Sequence, residues 1–222
     1  MGAQLFVLDA ESTDETVRIA TQHGARVERR PWRGFLDARR YALAHVVTPW
    51  TLMLDADEAL DEDLVAAILA APADVDAYRL RRITSLCGKP IHTAGWSRER
   101  LIRLFRTERV HLDAHSVGGG ADLHERWIAR GPVRDLDGAI LHDSYPTLAL
   151  YRAKFARYTT IEANAIRGSV FALGRTLVLG PPRVAWSLLR YGGWRDGWRG
   201  VFVAVASGWY PIIVQWKALR AH

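Results

Sequence analysis

The sequence has little cysteine and no long apolar run. Its 222 residues include one cysteine, Cys87, so no disulfide can form within the chain, which suits a reducing compartment. The longest apolar stretch, 201–214, is interrupted by a glycine and a proline and is shorter than the roughly 20 residues of a spanning helix. Residues 5–8 are apolar, but no basic residue precedes them. We therefore expect neither a signal peptide nor a transmembrane helix.

Basic charge and tryptophan are concentrated near the C-terminus. The chain carries 30 Lys and Arg against 24 Asp and Glu. Eight of the basic residues but only one acid, Asp196, follow residue 166, and five of the nine tryptophans lie in the same segment. The chain thus combines a nearly neutral first part with a basic, aromatic last part, and the two parts call for separate explanations.

The first part alternates between strand-like and helix-like patterns. Strands are predicted at 5–9, 26–29 and 50–55, and helices at 13–24, 35–47 and 61–71. Ser12 and Glu15 match a capping box for the first helix, and Asp61 is the predicted N-cap of the third. Such alternation is typical of an α/β fold with a largely parallel sheet. Further strands are predicted at 77–82, 101–106 and 139–142, and helices from residue 147 onward.

Acidic residues follow two of the predicted strands. Asp9 ends the first, and Asp55-Ala-Asp57-Glu58 ends the third. In a parallel sheet both would lie at the edge where ligands bind, and residues i and i+2 of an extended chain share a side. Two carboxylates there could hold a divalent cation. Alternatively, Asp57, Glu58 and Asp61 favour the N-terminus of the next helix.

Seven segments together resemble family 2 glycosyltransferases of the GT-A fold. The segments are 7–16, 35–43, 50–58, Gly95-Trp96, 103–106, 123–125 and 142–145, which cover nearly the whole chain in the family's order. The later segments resemble the subgroup that adds sugars to the lipopolysaccharide inner core and to related cell-envelope glycans. The resemblance implies a Rossmann-like, nucleotide-sugar-binding sheet followed by a mostly helical C-terminal region.

The resemblance also implies roles for particular residues. Asp9 matches the acid that contacts the nucleotide base, Asp55 the residue near the ribose, and Asp57 the ligand of a divalent metal, Mn²⁺ or Mg²⁺, on the diphosphate. Glu125 is placed as the general base that takes the proton of the acceptor hydroxyl. Arg39 is a candidate to stabilise the departing diphosphate, although a solvated helix position explains it equally well.

The sequence departs from the family at its start. Family members begin with a central strand, a loop and a helix ahead of the strand that ends at Asp9, whereas only residues 1–4 precede residue 5 here. Loss of that strand predicts an exposed sheet edge and a reduced donor pocket. Two hypotheses follow, an active transferase and a non-catalytic remnant that keeps the fold and membrane association.

We divide the chain into a glycosyltransferase core, 1–146, and a basic, tryptophan-rich region, 147–222. Helices in the second region are expected to lie in the membrane interface, with arginines on anionic lipid; a helical subdomain packed on the core is the alternative. The expected partners are a nucleotide-sugar donor, a lipid-linked glycan acceptor and the inner face of the bacterial plasma membrane, with no nucleic acid. His111 and His115 have metal-ligand spacing, but no third ligand is evident, so zinc is not expected.

Overall fold

The computed structural model describes residues 3–93, 95–114 and 125–221, apart from the side chains of Ser97, Ala114 and Glu125. The strands are β1 (Phe6–Asp9), β2 (Arg26–Arg29), β3 (Trp50–Leu52), β4 (Glu58–Leu60), β5 (Ala77–Leu86), β6 (Lys89–Pro90), β7 (Arg100–Arg106), β8 (Val110–Ala114), β9 (Glu125–Ala129) and β10 (Val133–Tyr145). The helices are α1 (Thr16–Gln22), α2 (Phe35–Ala44), α3 (Glu62–Leu69), α4 (Leu148–Asn164), α5 (Val170–Arg190) and α6 (Gly197–Ala221). This α/β core with a helical C-terminal region confirms the expected fold class.

The strands form one large sheet and two small ones. The large sheet has the order β3-β7-β5-β10-β4, with β6 added beside β5. Its strands pair antiparallel except for β5 with β10, so the prediction of a largely parallel sheet is wrong. Helices separate only the first strands of the chain, and a short connection such as the one between β5 and β6 joins antiparallel neighbours.

Asp9 and Asp55 do not follow strands of the same hydrogen-bonded sheet, contrary to expectation. Strands β1 and β2 form a separate parallel pair, and β3 is the end strand of the large sheet. Within the described residues, β1 and β3 therefore each keep one edge without a strand partner.

Helix α2 connects the two sheets. Towards the small sheet, Arg30 pairs with Asp37 at 3.2 Å, and the Phe6 ring stacks on that of His45, just after the helix, at 5.9 Å. Towards the large sheet, Leu36 and Leu43 pack against the cluster that contains Phe105 and Trp127. The helix thereby fixes the small sheet beside the large one without backbone pairing between them.

Three of the four predicted helix starts agree with the structure, among them that of α2 at Phe35. The Asp61 carboxylate accepts from the backbone N–H of Leu64 at 2.8 Å, which confirms the predicted cap of α3, and helices resume after Thr147 as predicted. The capping box at Ser12 is wrong, because α1 begins later, at Thr16. The Ser12 N–H donates to the Asp9 carboxylate instead, at 3.1 Å.

Apolar side chains pack against the large sheet in separate clusters. Leu64 of α3 covers one face together with Leu80 and Ile140, all fully buried. At the carboxyl end of β5, Leu86 packs with Tyr151 of α4 and Val203 of α6, so the C-terminal helices share a core with the sheet. That shared core positions them over one end of β5 and β10.

The C-terminal helices approach one another closely at glycines. A Cβ atom at Gly208 of α6 would lie 2.5 Å from Cγ2 of Val184 in α5. Within the part of the chain that the structure describes, no helix combines the length and apolar character needed to cross a bilayer.

Glycine is required at position 200 but not at position 174. A Cβ at Gly200 would lie 1.9 Å from the carbonyl oxygen of Gly193, whereas a Cβ at Gly174 would meet no atom of the described residues within 4 Å. We expect Gly200→Ala to lower the free energy of unfolding by about 1–3 kcal/mol through overpacking. The control, Gly174→Ala, should raise it by up to about 1 kcal/mol through helix propensity. Urea denaturation followed by circular dichroism measures both, and equal effects would contradict the packing assigned to Gly200.

Candidate functional site

The acidic segment after β3 forms a turn. The strand ends at Leu52, and the backbone carbonyl of Asp55 accepts from the N–H of Glu58 at 3.0 Å. The Asp55 N–H in turn donates to the Glu58 carboxylate at 3.0 Å. An extended chain would place Asp55 and Asp57 on one side, but this turn gives the two carboxylates different partners.

Two arginines hold the Asp55 carboxylate. Nη2 of Arg39, in α2, lies 2.8 Å from Oδ1, and Nη2 of Arg103, in β7, lies 2.6 Å from Oδ2. Burial of Asp55 opposes its ionisation, but the positive charges of Arg103 and Arg39 outweigh that effect and lower its pKa. Only 16% of the Arg39 side chain is exposed, so Arg39 is not a solvated helix residue.

A chain of ion pairs continues from Asp55 into the sheet. Arg103 also contacts Glu58 at 3.2 Å, and the two side chains are 3% and 0% exposed. Glu58 contacts Arg82 of β5 at 3.2 Å, and Arg82 contacts Glu99 at 2.8 Å. Among the described residues, the buried Nε and Nη1 atoms of Arg103 have no hydrogen-bond partner. Buried charges are stable only when oppositely charged groups pair with them. This series of ion pairs therefore fixes the turn after β3 relative to β5 and β7.

Asp57 has a different environment. Its Oδ2 lies 3.3 Å from Nε2 of His142 in β10, and Nδ1 of His142 lies 3.1 Å from the Thr84 hydroxyl. The hydrogen bond from His142 lowers the pKa of Asp57, and 40% of the Asp57 side chain remains exposed. Asp57 is therefore an ionised carboxylate that solvent reaches and that pairs with no arginine in the described part of the chain.

Asp9 is almost completely buried at the end of β1. Its carboxylate accepts from the Ser12 N–H at 3.1 Å and from Nε of Arg29 at 3.2 Å. The hydrogen bonds from Ser12 lower the pKa of Asp9, and the hydrogen bond from Arg29 lowers it further. An ionised carboxylate at this position can accept a hydrogen bond from an N–H of a bound base.

The chemistry of Asp57 fits a divalent cation. Mg²⁺ and Mn²⁺ prefer oxygen ligands, and Mg²⁺ in phosphate-binding sites commonly takes one or two carboxylates, with waters and phosphates as further ligands. Asp57 offers an exposed carboxylate, and the contact with His142 orients it. Asp55 is less suited, since two arginines already occupy its oxygens. No cluster of three or more potential ligands occurs among the described residues.

The predicted general base is described only in its backbone. Glu125 begins β9 and pairs with Ala114 of β8, but its side chain lies outside the described part. Of the two histidines with metal-ligand spacing, His111 lies in β8 and His115 falls outside the described residues.

The sequence patterns did not identify three residues as parts of this site. Arg103 reads as one position of a half-buried strand, Glu58 as a helix-capping acid, and His142 only as part of a family segment. A cation within the apolar run Leu101–Phe105 was the available signal for Arg103, because such a charge needs a partner when it is buried.

Comparisons with known proteins identify the family of the chain. Residues 3–121, more than half of the chain, match the model of glycosyl transferase family 2, and the match includes Asp9, Arg39, Asp55 and Asp57. Lipopolysaccharide core biosynthesis glycosyltransferase LpsC of Rhizobium meliloti is 26% identical over 231 residues, covering 99% of this chain and 84% of that protein.

Two other similarities are more limited. An uncharacterized glycosyltransferase of Rickettsia felis is 44% identical over 61 residues, or 28% of this chain and 22% of that protein. The crystal structure of S. aureus TarS 1-349 is 14% identical, with a TM-score of 0.41 over 99% of this chain and 82% of that chain. On the family match, the chain belongs to glycosyl transferase family 2 and is a glycosyltransferase of the GT-A fold class.

Proposed function

We propose that this glycosyltransferase moves a sugar from a nucleotide-diphosphate donor to a hydroxyl of a lipid-linked envelope glycan of the lipopolysaccharide core type, with inversion. The observation that carries the donor assignment is the contrast between Asp55, which is fixed by Arg39 and Arg103, and Asp57, which is ionised and exposed. The similarity to LpsC supports the acceptor class.

Each group then has a defined task. Asp9 and Asp55 orient the nucleoside, and Arg39 supplies positive charge beside it. Asp57, oriented by His142, would hold Mn²⁺ or Mg²⁺, which when bound neutralises charge on the diphosphate. Glu125 accepts the proton of the acceptor hydroxyl. At the same time the hydroxyl oxygen bonds to the anomeric carbon of the donor sugar, and the bond from that carbon to the diphosphate breaks. One displacement of this kind inverts the configuration at that carbon.

The donor proposal predicts a strong effect at Asp57. We expect Asp57→Asn to abolish metal-dependent binding of the donor and to lower turnover at least about 100-fold, because the substitution removes the charged ligand. Calorimetry with UDP-, ADP- and GDP-sugars, with and without Mn²⁺, identifies the donor and then compares the variants.

The matched control is Asp63→Asn, at an exposed position in the first turn of α3. It should bind the donor as the parent chain does. Full activity of Asp57→Asn would disprove the assigned role, and a folded parent chain that binds none of the donors would favour the non-catalytic alternative.

Glu125 should affect catalysis and leave donor binding intact. We expect Glu125→Gln to lower kcat about 100-fold or more, since general-base catalysis contributes about 10²–10⁴-fold, with an unchanged dissociation constant for the donor. Single-turnover transfer measures the first quantity and calorimetry the second. A variant that loses donor binding together with kcat would show that Glu125 belongs to the donor pocket instead.

We further propose that region 147–222 binds the inner face of the bacterial plasma membrane while region 1–146 performs the chemistry. Phe171, Val178 and Leu189 of α5 are 82%, 73% and 79% exposed. Their spacings of 7 and 11 residues correspond to about two and three helical turns, so they form one apolar stripe.

Basic side chains accompany this stripe. Arg175, Arg183 and Arg190 of α5 are exposed, and none pairs with a carboxylate in the described part of the chain. Apolar side chains at the acyl boundary and arginines near anionic headgroups are typical of interfacial helices. A subdomain that only packs on the core does not explain three apolar side chains that face solvent.

Vesicle sedimentation tests this surface. Phe171→Ser combined with Leu189→Ser should reduce binding to vesicles of phosphatidylglycerol and phosphatidylcholine about tenfold or more, because two apolar side chains no longer insert. The control is Leu69→Ser in α3, which removes an equally exposed leucine (84%) from region 1–146 and should leave vesicle binding unchanged. Equal binding by the parent chain and the double variant would contradict the stripe.

A further inference from the structure

A cavity of about 670 Å³ lies between the large sheet and the C-terminal helices. Strands β5 and β10 line one side, the turn at 96–98 another, and helices α4 and α6 close it. Neither the donor residues nor the membrane stripe accounts for this cavity. Its volume falls in the range of ordinary ligand pockets, about 300–1,000 Å³.

Aromatic rings dominate the wall of the cavity. They are Trp96, Tyr145, Tyr151, Phe155, Tyr158 and Tyr210. Most of them contact one another, with centroids 5.4 Å apart for Trp96 and Tyr145 and 5.0 Å apart for Tyr145 and Tyr151. Mutual packing holds these rings in place before a ligand arrives. Their negative faces suit the weakly positive C–H groups of a sugar ring, which can stack on them.

The other end of the cavity is polar and adjoins the donor site. His142 lines the cavity and contacts Asp57, the proposed metal ligand. The Arg82–Glu99 pair and the Thr84 hydroxyl line the same end. An acceptor hydroxyl must reach the sugar carbon that carries the diphosphate, so the acceptor must lie next to Asp57. The cavity meets this requirement.

From the proposed function and this geometry we propose that the cavity binds the acceptor sugar, with its ring against the aromatic wall and its reacting hydroxyl towards His142. A sugar has both apolar faces and hydroxyl groups, so it matches a wall that is aromatic at one end and charged at the other. An acyl chain would desolvate Arg82, Glu99 and His142 and give them no hydrogen bonds in return, which is unfavourable.

Two variants test the cavity, one by removing a lining side chain and the other by filling part of the space. Tyr158 makes no ring contact with the other five aromatic residues, so Tyr158→Ala removes one wall without breaking their packing. Ser207→Trp adds bulk from an exposed lining position of α6. The control is Trp209→Ala, an exposed aromatic residue of the same helix that does not line the cavity.

Calorimetry with lipid-free lipopolysaccharide core oligosaccharide and with decanoate provides the readout. We expect both cavity variants to raise the dissociation constant of the oligosaccharide about tenfold, with decanoate inert, the control unchanged and donor binding retained. Oligosaccharide binding that is equal in all variants, or decanoate binding that Ser207→Trp blocks, would overturn the acceptor assignment. If the parent chain bound none of the donors, that result would instead contradict the proposed function itself.

Discussion

The buried pair of Arg103 and Glu58 is the interaction on which the site depends. Both side chains are almost inaccessible to water, and each has a second partner, Asp55 for the arginine and Arg82 for the glutamate. Buried charges are stable only when they are paired, and a buried charge left without a partner costs about 3–5 kcal/mol. Strands β5 and β7 and the turn after β3 are therefore held in one relative position, and this position determines where Asp57 faces.

Asp55 and Asp57 have different environments although one residue separates them. Both carboxylates are ionised. Arg39 and Arg103 pair with Asp55 and fix it in the framework, whereas Asp57 contacts His142 and stays partly exposed to solvent. A carboxylate that is rigidly paired cannot also act as a ready metal ligand. The turn at Asp55–Glu58 separates these tasks, because an extended strand would direct both side chains to the same side.

The C-terminal helices serve the core and the surface at the same time. Inward-facing residues of α4 and α6 share a core with the end of β5 and close the aromatic cavity, while α5 carries its apolar stripe outwards. Glycines at the crossing of α5 and α6 allow this close packing. In the proposed arrangement, a single helical layer brings the donor site, the acceptor cavity and the membrane together.

The resemblance of seven sequence segments indicated the family. Local sequence patterns determined the approximate positions of most strands and helices and the Asp61 cap, because apolar periodicity and capping act over a few residues. They also placed Asp9 at the end of β1, but predicted that β3 extends to Asp55, whereas it ends at Leu52 and a turn follows. Only the tertiary structure decided that β1 lies outside the large sheet, that Arg103 pairs with Asp55 and Glu58, and that His142 reaches Asp57. These contacts join residues that are 45 to 85 positions apart, and strand order and register bring them together, which a pattern read along the chain does not contain.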